Sequence, residues 1–587
     1  MNGPIKKIRG KMKDLDIDLT IVPLSDPHMS EYMSADWEYL KWLSGFTGSA
    51  GTLVITQNMA GLWTDSRYFI QAENELNLEE IDLYRQLKRE DHYQYWIKDN
   101  LDPNSTIGLD GRLFSLSWFK AFKKELADSR FRFIPDFNSI DDVWDQGRPS
   151  APLKKIFLFD NRYAGVPRIN KISEVQRIIT KHKADWYLVS ALDEIAWVLN
   201  LRGKDVNFNP VFYAYLLIGL EDSYLFIDER KVPEAVQRVL ESENIYIENY
   251  QRINDLTDIA YGKIIMDESS CSISTHHQLR PDSWISQTSY IKRQKATKSL
   301  IEIQHIEDAM VQDGVALCQA FMWLESQIDK GPTEYEFAQK ISACRKQQLG
   351  YYGDSFPAIV GSDEHGAIVH YRPKEGQSKV IDGQTKLLCD SGGQYLNGTT
   401  DITRTIAFGV IPIEFKRHYT QVLKGHIALA TAIFPIGTHG GQLDILARQA
   451  LWSEGLNFGH GTGHGVGYFL NVHEGPQSIS PRATVPLDKG MVISNEPGYY
   501  QEGAYGIRIE NLILVEDSEY EGFLKFKTIT LFPIATDCID ITLLSMAEIE
   551  WLNTYHRLVF ESLKPKLSDE EALWLEHKCL PISQDQS

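Results

Sequence analysis

The stretch Leu387-Leu-Cys-Asp-Ser-Gly-Gly-Gln-Tyr-Leu-Asn-Gly-Thr-Thr-Asp-Ile-Thr-Arg404 places two aspartates at the edges of apolar segments. Asp390 ends one predicted strand and Asp401 opens the next, with the Asn-Gly pair at 397–398 between them as a hairpin signal. A tight turn there would put Asp401 opposite Gln394, and a wider loop would bring the two carboxylates level; periodicity leaves both open. One Asp would be an ordinary turn residue. Carboxylates are rarely buried unless they are paired or bind a metal. Two aspartates, each at the edge of an apolar strand, are therefore less easily explained as turn residues.

Two glutamates further along the chain also lie beside turn residues and predicted strands. Glu496 lies in Asn495-Glu-Pro-Gly-Tyr-Tyr500, and Glu510 lies in Gly506-Ile-Arg-Ile-Glu510. The alternation around Glu510 puts Arg508 and Leu512 on its face of a strand. Taken alone, this segment predicts a solvent-facing strand, which is the commoner origin of such alternation.

The histidines lie among glycines. His460 and His464 have the i, i+4 spacing of a helical metal pair, but the glycines of His460-Gly-Thr-Gly-His-Gly-Val-Gly467 predict a loop. A phosphate-binding loop would need a following Lys-Ser/Thr, which is missing. His473-Glu474 begins like a zinc-protease helix, yet residue 477 is Gln. A lone histidine such as His370 is more often a structural hydrogen-bonding residue than a catalyst.

The set of side chains points to a metal site more strongly than any member does. Two Asp, two Glu and one His supply mostly hard oxygen donors, which suit Mn²⁺, Mg²⁺ or similar ions. Two divalent cations would neutralise four carboxylates, and such a pair can make a shared water into hydroxide near neutral pH.

The N-terminal quarter of the chain reads as α/β. Short β-branched runs predict strands at Leu19–Val22 and Gly51–Ile55, and Glu38–Leu43 has a helical pattern. The segment 135–152, rich in Asp, Pro, Gly and Ser, is typical of a linker.

A second α/β stretch and a long helix follow. Trp186–Val189 predicts a strand, Leu192–Leu201 an amphipathic helix, and Val211–Ile218 with Tyr224–Ile227 a strand pair. Lys298–Gln327 shows helical periodicity throughout.

The C-terminal tail carries an aromatic set at roughly helical spacing: Trp551, Tyr555 and Trp574. An extended run, Thr528–Pro533, leads into this helical tail. The apolar face could pack within the chain or at a twofold interface.

Composition excludes several classes of protein. With 60 Lys+Arg against 80 Asp+Glu, the formal net charge of −20 disfavours a nucleic-acid-binding protein. No apolar stretch approaches the ~18–20 residues of a membrane helix, and the basic, polar N-terminus shows no apolar segment of a secretory signal. The six cysteines are spread widely, which fits a reducing cytosol, so we expect a cytoplasmic protein without a membrane partner.

The motifs together resemble a known family. The order of the five candidate ligands, with Gly-His-Gly-Thr-Gly-His-Gly and Asn-Glu-Pro-Gly around them, resembles the pita-bread metallopeptidases, which include methionine aminopeptidase, prolidase and aminopeptidase P. Phe46-Thr-Gly-Ser-Ala-Gly-Thr with Trp63-Thr-Asp-Ser-Arg-Tyr-Phe69 is similar to a creatinase-like domain, and Leu192–Gly203 is similar to a second one. The chain as a whole is most similar to the three-domain Xaa-Pro aminopeptidases.

The resemblance implies a fold and its divisions. The fold class is α/β (α+β): two creatinase-like domains, a pita-bread catalytic domain and a C-terminal extension. We expect their bounds at 1–140, 153–297, 298–525 and 526–587, with dimerisation as a possible role of the extension.

The resemblance also implies a ligand set: Asp390, Asp401, His464, Glu496 and Glu510. In this arrangement Asp390 holds one ion, Asp401 and Glu510 bridge both, and His464 and Glu496 complete the other. The two ions are expected to be Mn²⁺. Their bridging hydroxide attacks the carbonyl before proline, and Glu496 orients or deprotonates it.

Further roles are implied for residues around the metals. Three histidines would bind substrate and move protons: His370, His460 and His473. A histidine donor is useful because a prolyl leaving nitrogen carries no N–H and must gain a proton. Tyr500 and Arg508 would line the substrate side of the site.

The expected activity is release of the N-terminal residue from peptides with proline second, by a homodimeric enzyme. Prolidase, which takes dipeptides and usually has one leading domain, is the nearest alternative. A non-catalytic pita-bread binding protein and metal-free creatinase are disfavoured by the intact ligand set. One segment, Gly361-Ser-Asp-Glu-His365, is more polar than the resemblance leads us to expect.

Overall fold

The computed structural model describes residues 3–584, and the chain divides into two compact units, 1–291 and 292–587. We call them unit 1 and unit 2 and describe each by itself. Over residues 3–584, no helix combines the length and the apolar character needed to cross a membrane.

Unit 1 begins with a six-stranded mixed sheet. Its strands are β1 (Leu19–Pro23), β2 (Thr52–Thr56), β3 (Ala60–Asp65), β4 (Asp82–Gln86), β5 (Thr106–Leu109) and β6 (Arg132–Ile134), in the spatial order β4-β3-β2-β1-β5-β6. The helices of this part are α1 (Pro4–Asp14), α2 (Tyr39–Ser44), α3 (Phe69–Glu75), α4 (Tyr93–Asn100) and α5 (Leu116–Glu125). The strands predicted at 19–22 and 51–55 are confirmed as the antiparallel pair β1–β2.

The prediction of a linker at 135–152 was wrong for much of that segment. Phe137, Ile140, Val143 and Trp144 are buried in the apolar core beneath the first sheet. Trp144 stacks on Trp42 with ring centroids 4.9 Å apart. The polar and turn-forming residues of this segment dominate its composition, but its few apolar side chains are spaced so that they can reach the core.

The rest of unit 1 forms a second sheet with its own core. The strands are β7 (Phe157–Leu158), β8 (Trp186–Val189), β9 (Leu201–Arg202), β10 (Ala214–Gly219), β11 (Ser223–Ile227), β12 (Ile245–Glu248), β13 (Ile264–Met266) and β14 (Trp284–Ser286). Six of them form the sheet β12-β11-β10-β8-β13-β14, and β7 pairs with β9. The helices are α6 (Asn161–Ala164), α7 (Arg168–His182), α8 (Leu192–Val198), α9 (Glu234–Glu241), α10 (Leu256–Ile259) and α11 (Ile273–His277). A further helix, α12 (Tyr290–Ala296), begins in unit 1 and ends in unit 2.

The sequence placed the elements of this second sheet well, with one exception. The strand at 186–189 and the antiparallel pair β10–β11 are confirmed. The helix predicted over 192–201 ends at Val198, because Asn200 adopts a left-handed conformation (φ +46°) and Leu201 enters β9.

Unit 2 contains the candidate ligands. Its helices are α13 (Leu300–Gln327), α14 (Glu334–Arg345), α15 (Ile413–Ala430), α16 (Gly440–Trp452), α17 (Met546–Leu563) and α18 (Asp569–Lys578). Its strands are β15 (Tyr351–Asp354), β16 (Ile359–Ser362), β17 (Lys386–Ser391), β18 (Gly393–Tyr395), β19 (Gly398–Thr399), β20 (Ile402–Ala407), β21 (Ile433–Pro435), β22 (Gly463–Gly465), β23 (Glu474–Ile479), β24 (Val492–Asn495), β25 (Gly498–Gln501), β26 (Tyr505–Arg508), β27 (Asn511–Asp517) and β28 (Phe523–Thr528).

These strands form a set of small sheets and one larger one. The orders are β15-β18-β19, β16-β17-β20, β25-β26 and the six-stranded β21-β28-β27-β24-β22-β23. The long helix predicted at 298–327 is confirmed as α13, which begins with a capping box between Ser299 and Glu302.

The register of the aspartate hairpin lies between the two alternatives left open by the sequence. Gln394 pairs with Thr399 and Asp390 pairs with Thr403, so the turn falls at Leu396-Asn397. Asp401 therefore lies opposite Gly392. Side chains two residues apart share a face of a strand, so Asp390 and Asp401 point to the same side.

The tail packs within unit 2. Tyr555 is buried, its ring stacks on Trp551 with centroids 5.5 Å apart, and the Trp574 indole N–H donates to Glu325 at 2.7 Å. Of the extended run predicted at 528–533, only Thr528 lies in a strand, at the end of β28; residues 529–533 form no ladder, with a bend at Phe532.

Candidate metal centre

Three of the five candidate ligands converge on one point. Asp401, His464 and Glu510 each offer one ligand atom, and these atoms lie within 4.8 Å of one another. Asp401 immediately precedes β20, His464 lies in β22 and Glu510 immediately precedes β27. Strands from two sheets thus bring together residues up to 109 positions apart.

The imidazole of His464 is oriented by its own loop. Its Nδ1 lies 3.0 Å from the carbonyl of Gly465, which can only accept, so Nδ1 carries a proton and donates. Nε2 then faces the carboxylates of Asp401 and Glu496, at 3.4 Å from each. Burial acts to lower the pKa of His464, but these two carboxylates outweigh it and raise that pKa to about 9. The carboxylates that hold a proton on Nε2 would equally attract a cation at that place.

The two glutamates carry more negative charge than their surroundings compensate. Burial, together with the charges of neighbouring carboxylates, raises the pKa of Glu496 and raises that of Glu510 well above its ordinary value. Glu496 accepts from the Ser494 hydroxyl at 3.1 Å, and Glu510 accepts from the Thr403 hydroxyl at 2.8 Å. Each carboxylate thus has one hydroxyl donor, and Glu496 also faces His464 Nε2 at 3.4 Å.

Asp390 lies at the edge of the cluster and is paired to Arg508. The guanidinium donates from Nη2 to Asp390 Oδ2 at 2.7 Å, whereas Oδ1 is buried and has no hydrogen-bond partner within residues 3–584. Burial raises the pKa of Asp390 to about 7 despite the arginine. An unpartnered buried carboxylate oxygen is costly unless a cation reaches it.

The strand around Glu510 does not face solvent, so the prediction made from its alternation was wrong. Arg508 is 2 % exposed, Glu510 1 % and Leu512 is fully buried. Arg508 and Glu510 both contact the Thr403 hydroxyl, and every residue from 506 to 515 is buried, so this segment lies in the interior of unit 2.

A chain of hydrogen bonds leads outward from Asp390 to the glycine-rich loop. Arg508 Nη1 donates to the Tyr500 hydroxyl at 2.6 Å, and that hydroxyl lies 2.8 Å from His460 Nε2. His460 Nδ1 is 2.8 Å from the carbonyl of Gly461, so Nε2 is the nitrogen that accepts from Tyr500. Three predicted residues, Arg508, Tyr500 and His460, thus form one continuous path.

The other two histidines lie on loops of the same unit. The ring of His473 is 4.3 Å from that of His464, nearly perpendicular to it, and His473 is exposed. His370 follows the 3-10 turn Asp363–Ala367, and the carbonyl of its neighbour Val369 accepts from Arg508 at 3.4 Å. All predicted site residues therefore lie in unit 2.

The sequence analysis missed Glu334, which anchors the loop that carries His370. This carboxylate is fully buried and accepts from the backbone N–H of Ser362 (2.7 Å), His365 Nδ1 (2.9 Å), the Tyr371 hydroxyl (2.8 Å) and the backbone N–H of Lys379 (3.0 Å). The unexpectedly polar segment 361–365 supplies two of these donors. Its polarity was the one signal for this anchor.

The support of the His460 loop was also missed. Asp444 and Arg448 form a buried i, i+4 pair on α16, and Arg448 donates to the carbonyls of Phe458 and His460 at 2.8 Å each. Asp444 in turn accepts from the Thr462 hydroxyl at 2.6 Å. The i, i+4 spacing is visible in the sequence, but such pairs are usually exposed.

The donor set fits divalent cations. Four carboxylates and one imidazole face a common space with Arg508 as the only guanidinium bonded to a ligand carboxylate in the part of the chain that the structure describes. Burial first, and then repulsion among the carboxylates, raises the pKa of Asp390, Glu496 and Glu510. Hard oxygen ligands with one nitrogen suit Mn²⁺-like ions.

The comparisons with known proteins agree with this geometry. A model described as metallopeptidase family M24 matches residues 304–517, creatinase/prolidase N-terminal domain models match 4–143 and 147–302, and a C-terminal region of peptidase M24 matches 522–582. The Xaa-Pro aminopeptidase ApepP of Drosophila melanogaster is 40% identical over 96% of this chain and 96% of its own. The chain belongs to the Xaa-Pro aminopeptidase P family of M24 metallopeptidases.

Solved structures separate this family from its neighbours. An X-prolyl aminopeptidase from Caenorhabditis elegans, described as a cytosolic enzyme with a di-nuclear active site, superposes with a TM-score of 0.94 at 33% identity, covering 99% of both chains. A prolidase from Pyrococcus horikoshii OT3 superposes with a TM-score of 0.51 at 25% identity, covering 62% of this chain and 99% of its own. The predicted fold class, with creatinase-like domains and a pita-bread domain, is confirmed, and the chain is a metallopeptidase.

Proposed function

We propose that this chain binds two divalent cations and hydrolyses the peptide bond before proline, releasing the N-terminal residue of peptides whose second residue is proline. The observation that carries the proposal is the convergence of Asp401, His464 and Glu510, next to Glu496 and the unpartnered oxygen of Asp390. Membership of the Xaa-Pro aminopeptidase P family supports the choice of substrate.

The five ligands would divide between the two ions. Asp390 would contact one ion, Asp401 and Glu510 both, and His464 and Glu496 the other. When bound, such a pair supplies Lewis acidity and an activated water at neutral pH. The excess of carboxylates that raises the pKa of Glu496 and Glu510 supports this division.

The residues around the ligands would bind substrate and handle protons. Glu496 would take a proton from the attacking water. Tyr500 accepts from Arg508 on one side and donates to His460 Nε2 on the other, so it would hold the His460 ring in a fixed orientation. A prolyl nitrogen must gain a proton to leave, and we propose His460, His473 and His370 as the group that binds the peptide and supplies that proton.

Several finer points belong to the same proposal. We propose Mn²⁺ as the metal, a cytoplasmic location, a homodimer, and domains at 1–140, 153–297, 298–525 and 526–587. The hard donor set supports Mn²⁺, the cytosolic C. elegans enzyme supports the location, and the spans of the family matches support the divisions. The homodimer follows from the family resemblance, and light scattering that returns 67.1 kDa would count against it.

The test is a substrate and metal panel on the full chain. Arg-Pro-Pro, Arg-Ala-Pro and Gly-Pro are incubated with enzyme that has been stripped of metal and reloaded with Mn²⁺, Zn²⁺ or Co²⁺. We expect metal-dependent release of arginine from Arg-Pro-Pro and little from Arg-Ala-Pro. Turnover of Gly-Pro alone would indicate a prolidase. No bound metal and no turnover would indicate a non-catalytic binding protein.

A further inference from the structure

Arg404 is a buried cation that forms no ion pair with a carboxylate within residues 3–584. It lies in β20, three residues after Asp401, and is 2 % exposed. The five N–H groups of its guanidinium lie within hydrogen-bond distance of six neutral oxygens: the carbonyls of Thr403, Glu510, Phe532 and Pro533, the side-chain oxygen of Asn511 and the hydroxyl of Tyr555. Burying an arginine without a counter-charge is costly, so the hydrogen bonds of Arg404 are where its effect on the structure lies.

The acceptors of Arg404 fall into two groups. The first is the backbone at a candidate ligand: the Glu510 carbonyl at 2.6 Å and Asn511 Oδ1 at 2.8 Å. The second belongs to the C-terminal extension: Phe532 O at 2.6 Å, Pro533 O at 2.9 Å and the Tyr555 hydroxyl at 3.0 Å. The planar guanidinium therefore joins the backbone of a metal ligand to the extension at fixed distances.

Tyr555 supports this bridge from α17. Its hydroxyl lies 2.9 Å from Phe532 O, 3.1 Å from Thr530 O and 3.3 Å from Asn511 Oδ1, and it accepts from Arg404. The ring is buried against Trp551. One hydroxyl therefore ties the helix to the extended segment and to the arginine.

A second set of hydrogen bonds connects Asn511 to Asn495, the residue before Glu496. His426, fully buried in α15, has Nδ1 at 3.1 Å from the carbonyl of Asn495, so Nδ1 donates and Nε2 accepts from Asn511 Nδ2 at 3.2 Å. Asn495 Nδ2 donates back to the His426 carbonyl at 2.9 Å. Asn495 precedes Glu496 and Asn511 follows Glu510, so one histidine holds the residue beside each glutamate.

We propose that Arg404 and Tyr555 are positioning residues, through which the C-terminal extension holds the backbone of Glu510 where its carboxylate can bind the metal ions. The inference rests on the proposed function, because it takes Glu510 as a ligand. Ligands must be held within about 0.5 Å of their working position. Outer residues that orient metal ligands typically change metal affinity by about 10–100-fold.

The decisive variant is Tyr555→Phe, which removes one hydroxyl and keeps the buried ring. Metal-stripped full-length protein is titrated with MnCl₂ in a calorimeter, and circular dichroism confirms the fold. We expect Mn²⁺ affinity to fall about tenfold. At low Mn²⁺, kcat on Arg-Pro-Pro should fall and recover with excess Mn²⁺, while KM stays unchanged. Arg404→Lys, which keeps the charge but not the planar bridge, should weaken Mn²⁺ binding further.

The matched control is Asn553→Ala on the same helix. Asn553 exchanges two hydrogen bonds with the backbone of Ile582, at 3.0 and 2.9 Å, and none of its hydrogen bonds involves Arg404. The control should loosen the extension and leave Mn²⁺ affinity unchanged. Wild-type affinity in Tyr555→Phe, or an equal loss in Asn553→Ala, would overturn the inference while leaving the proposed function intact. A wild-type chain that binds no Mn²⁺ would instead overturn both.

Discussion

Glu510 and Glu334 are two buried glutamates of unit 2, and their surroundings shift their pKa values in opposite directions. Glu510 is 1 % exposed and Glu334 is fully buried. Burial and the neighbouring carboxylates raise the pKa of Glu510 well above its usual value. At Glu334 burial also acts to raise the pKa, but the His365 ring, the Ser362 N–H and the Tyr371 hydroxyl outweigh it, and the pKa is lowered.

The difference separates a structural carboxylate from a proposed metal ligand. Glu334 meets four donors from its own loop and is satisfied as an anion. Glu510 meets one hydroxyl and several negative charges, so its anionic form is satisfied only when cations arrive. Burial alone therefore does not identify a metal ligand; the balance of donors and charges does.

The largest expected effect is on the charged cluster itself. Asp401→Asn should lower kcat/KM by at least about 10³-fold, on the scale of removing a group that stabilises transition-state charge, while the fold is retained. The measurement is steady-state hydrolysis of Arg-Pro-Pro, with circular dichroism on the same samples. Substantial turnover in this variant would contradict the assignment of Asp401 as a shared ligand.

The pH dependence of stability should also reflect the uncompensated charge. The folded-state pKa of Asp390, about 7, lies above its ordinary value of 3.8. The metal-free folded state therefore binds an extra proton between pH 4 and 7, and its stability falls as pH rises through this range, by up to about 1.4 kcal/mol per pH unit for one proton.

Guanidinium unfolding of metal-free wild type and Asp390→Asn, from pH 4 to 8, checks this expectation. The variant should gain stability relative to wild type as pH rises to 7. A constant difference across the range would show that Asp390 titrates normally.

The pH dependence of stability for Glu334→Gln should be opposite to that for Asp390→Asn. In the variant an NH2 group replaces one of the two carboxylate oxygens, and both oxygens accept hydrogen bonds from the backbone, so one N–H loses its acceptor. We therefore expect a loss of about 1–3 kcal/mol in the free energy of unfolding at pH 7. Because the pKa of Glu334 is lowered, the stability it supplies is present above pH 4.5 and is lost as pH falls through the folded-state pKa. The gap between variant and wild type should therefore narrow in acid, as measured by unfolding at pH 3–7.

The smallest effect is expected at Glu336, two residues along the same helix. Glu336 is exposed and caps α14 by accepting from the Thr333 N–H and hydroxyl at 2.8 and 2.9 Å. Glu336→Gln should change stability by less than about 1 kcal/mol and leave kcat unchanged. It serves as the control for Glu334→Gln, and an equal loss in both variants would mean that helix capping, not the buried anchor, explains the Glu334 result.

Much of the fold could be read from local patterns. The pairs β1–β2 and β10–β11 and the helix α13 follow from hydrophobic periodicity and turn residues. The segment 135–152 could not, because composition records how many apolar side chains a loop has and not whether they reach a core.

The residues of the candidate site also fall into those that the sequence predicted and those that it did not. The residue types, their order along the chain and the family resemblance were sufficient to name five candidate ligands and the charge that two cations would neutralise. Glu334, Asp444 and Arg448 were not found, because each acts on loops brought to it by the fold.

The sequence by itself determined the chemistry of this protein: which donors are present, their net charge, and the alternation that puts Arg508 and Glu510 on one face. Only the tertiary structure decided the hairpin register that turns Asp390 and Asp401 to one side, and the burial of the Arg508 strand. Periodicity specifies which side chains share a face, since it follows from backbone geometry. Whether that face meets water or protein depends on what packs against it, and here that partner comes from strands distant in the sequence.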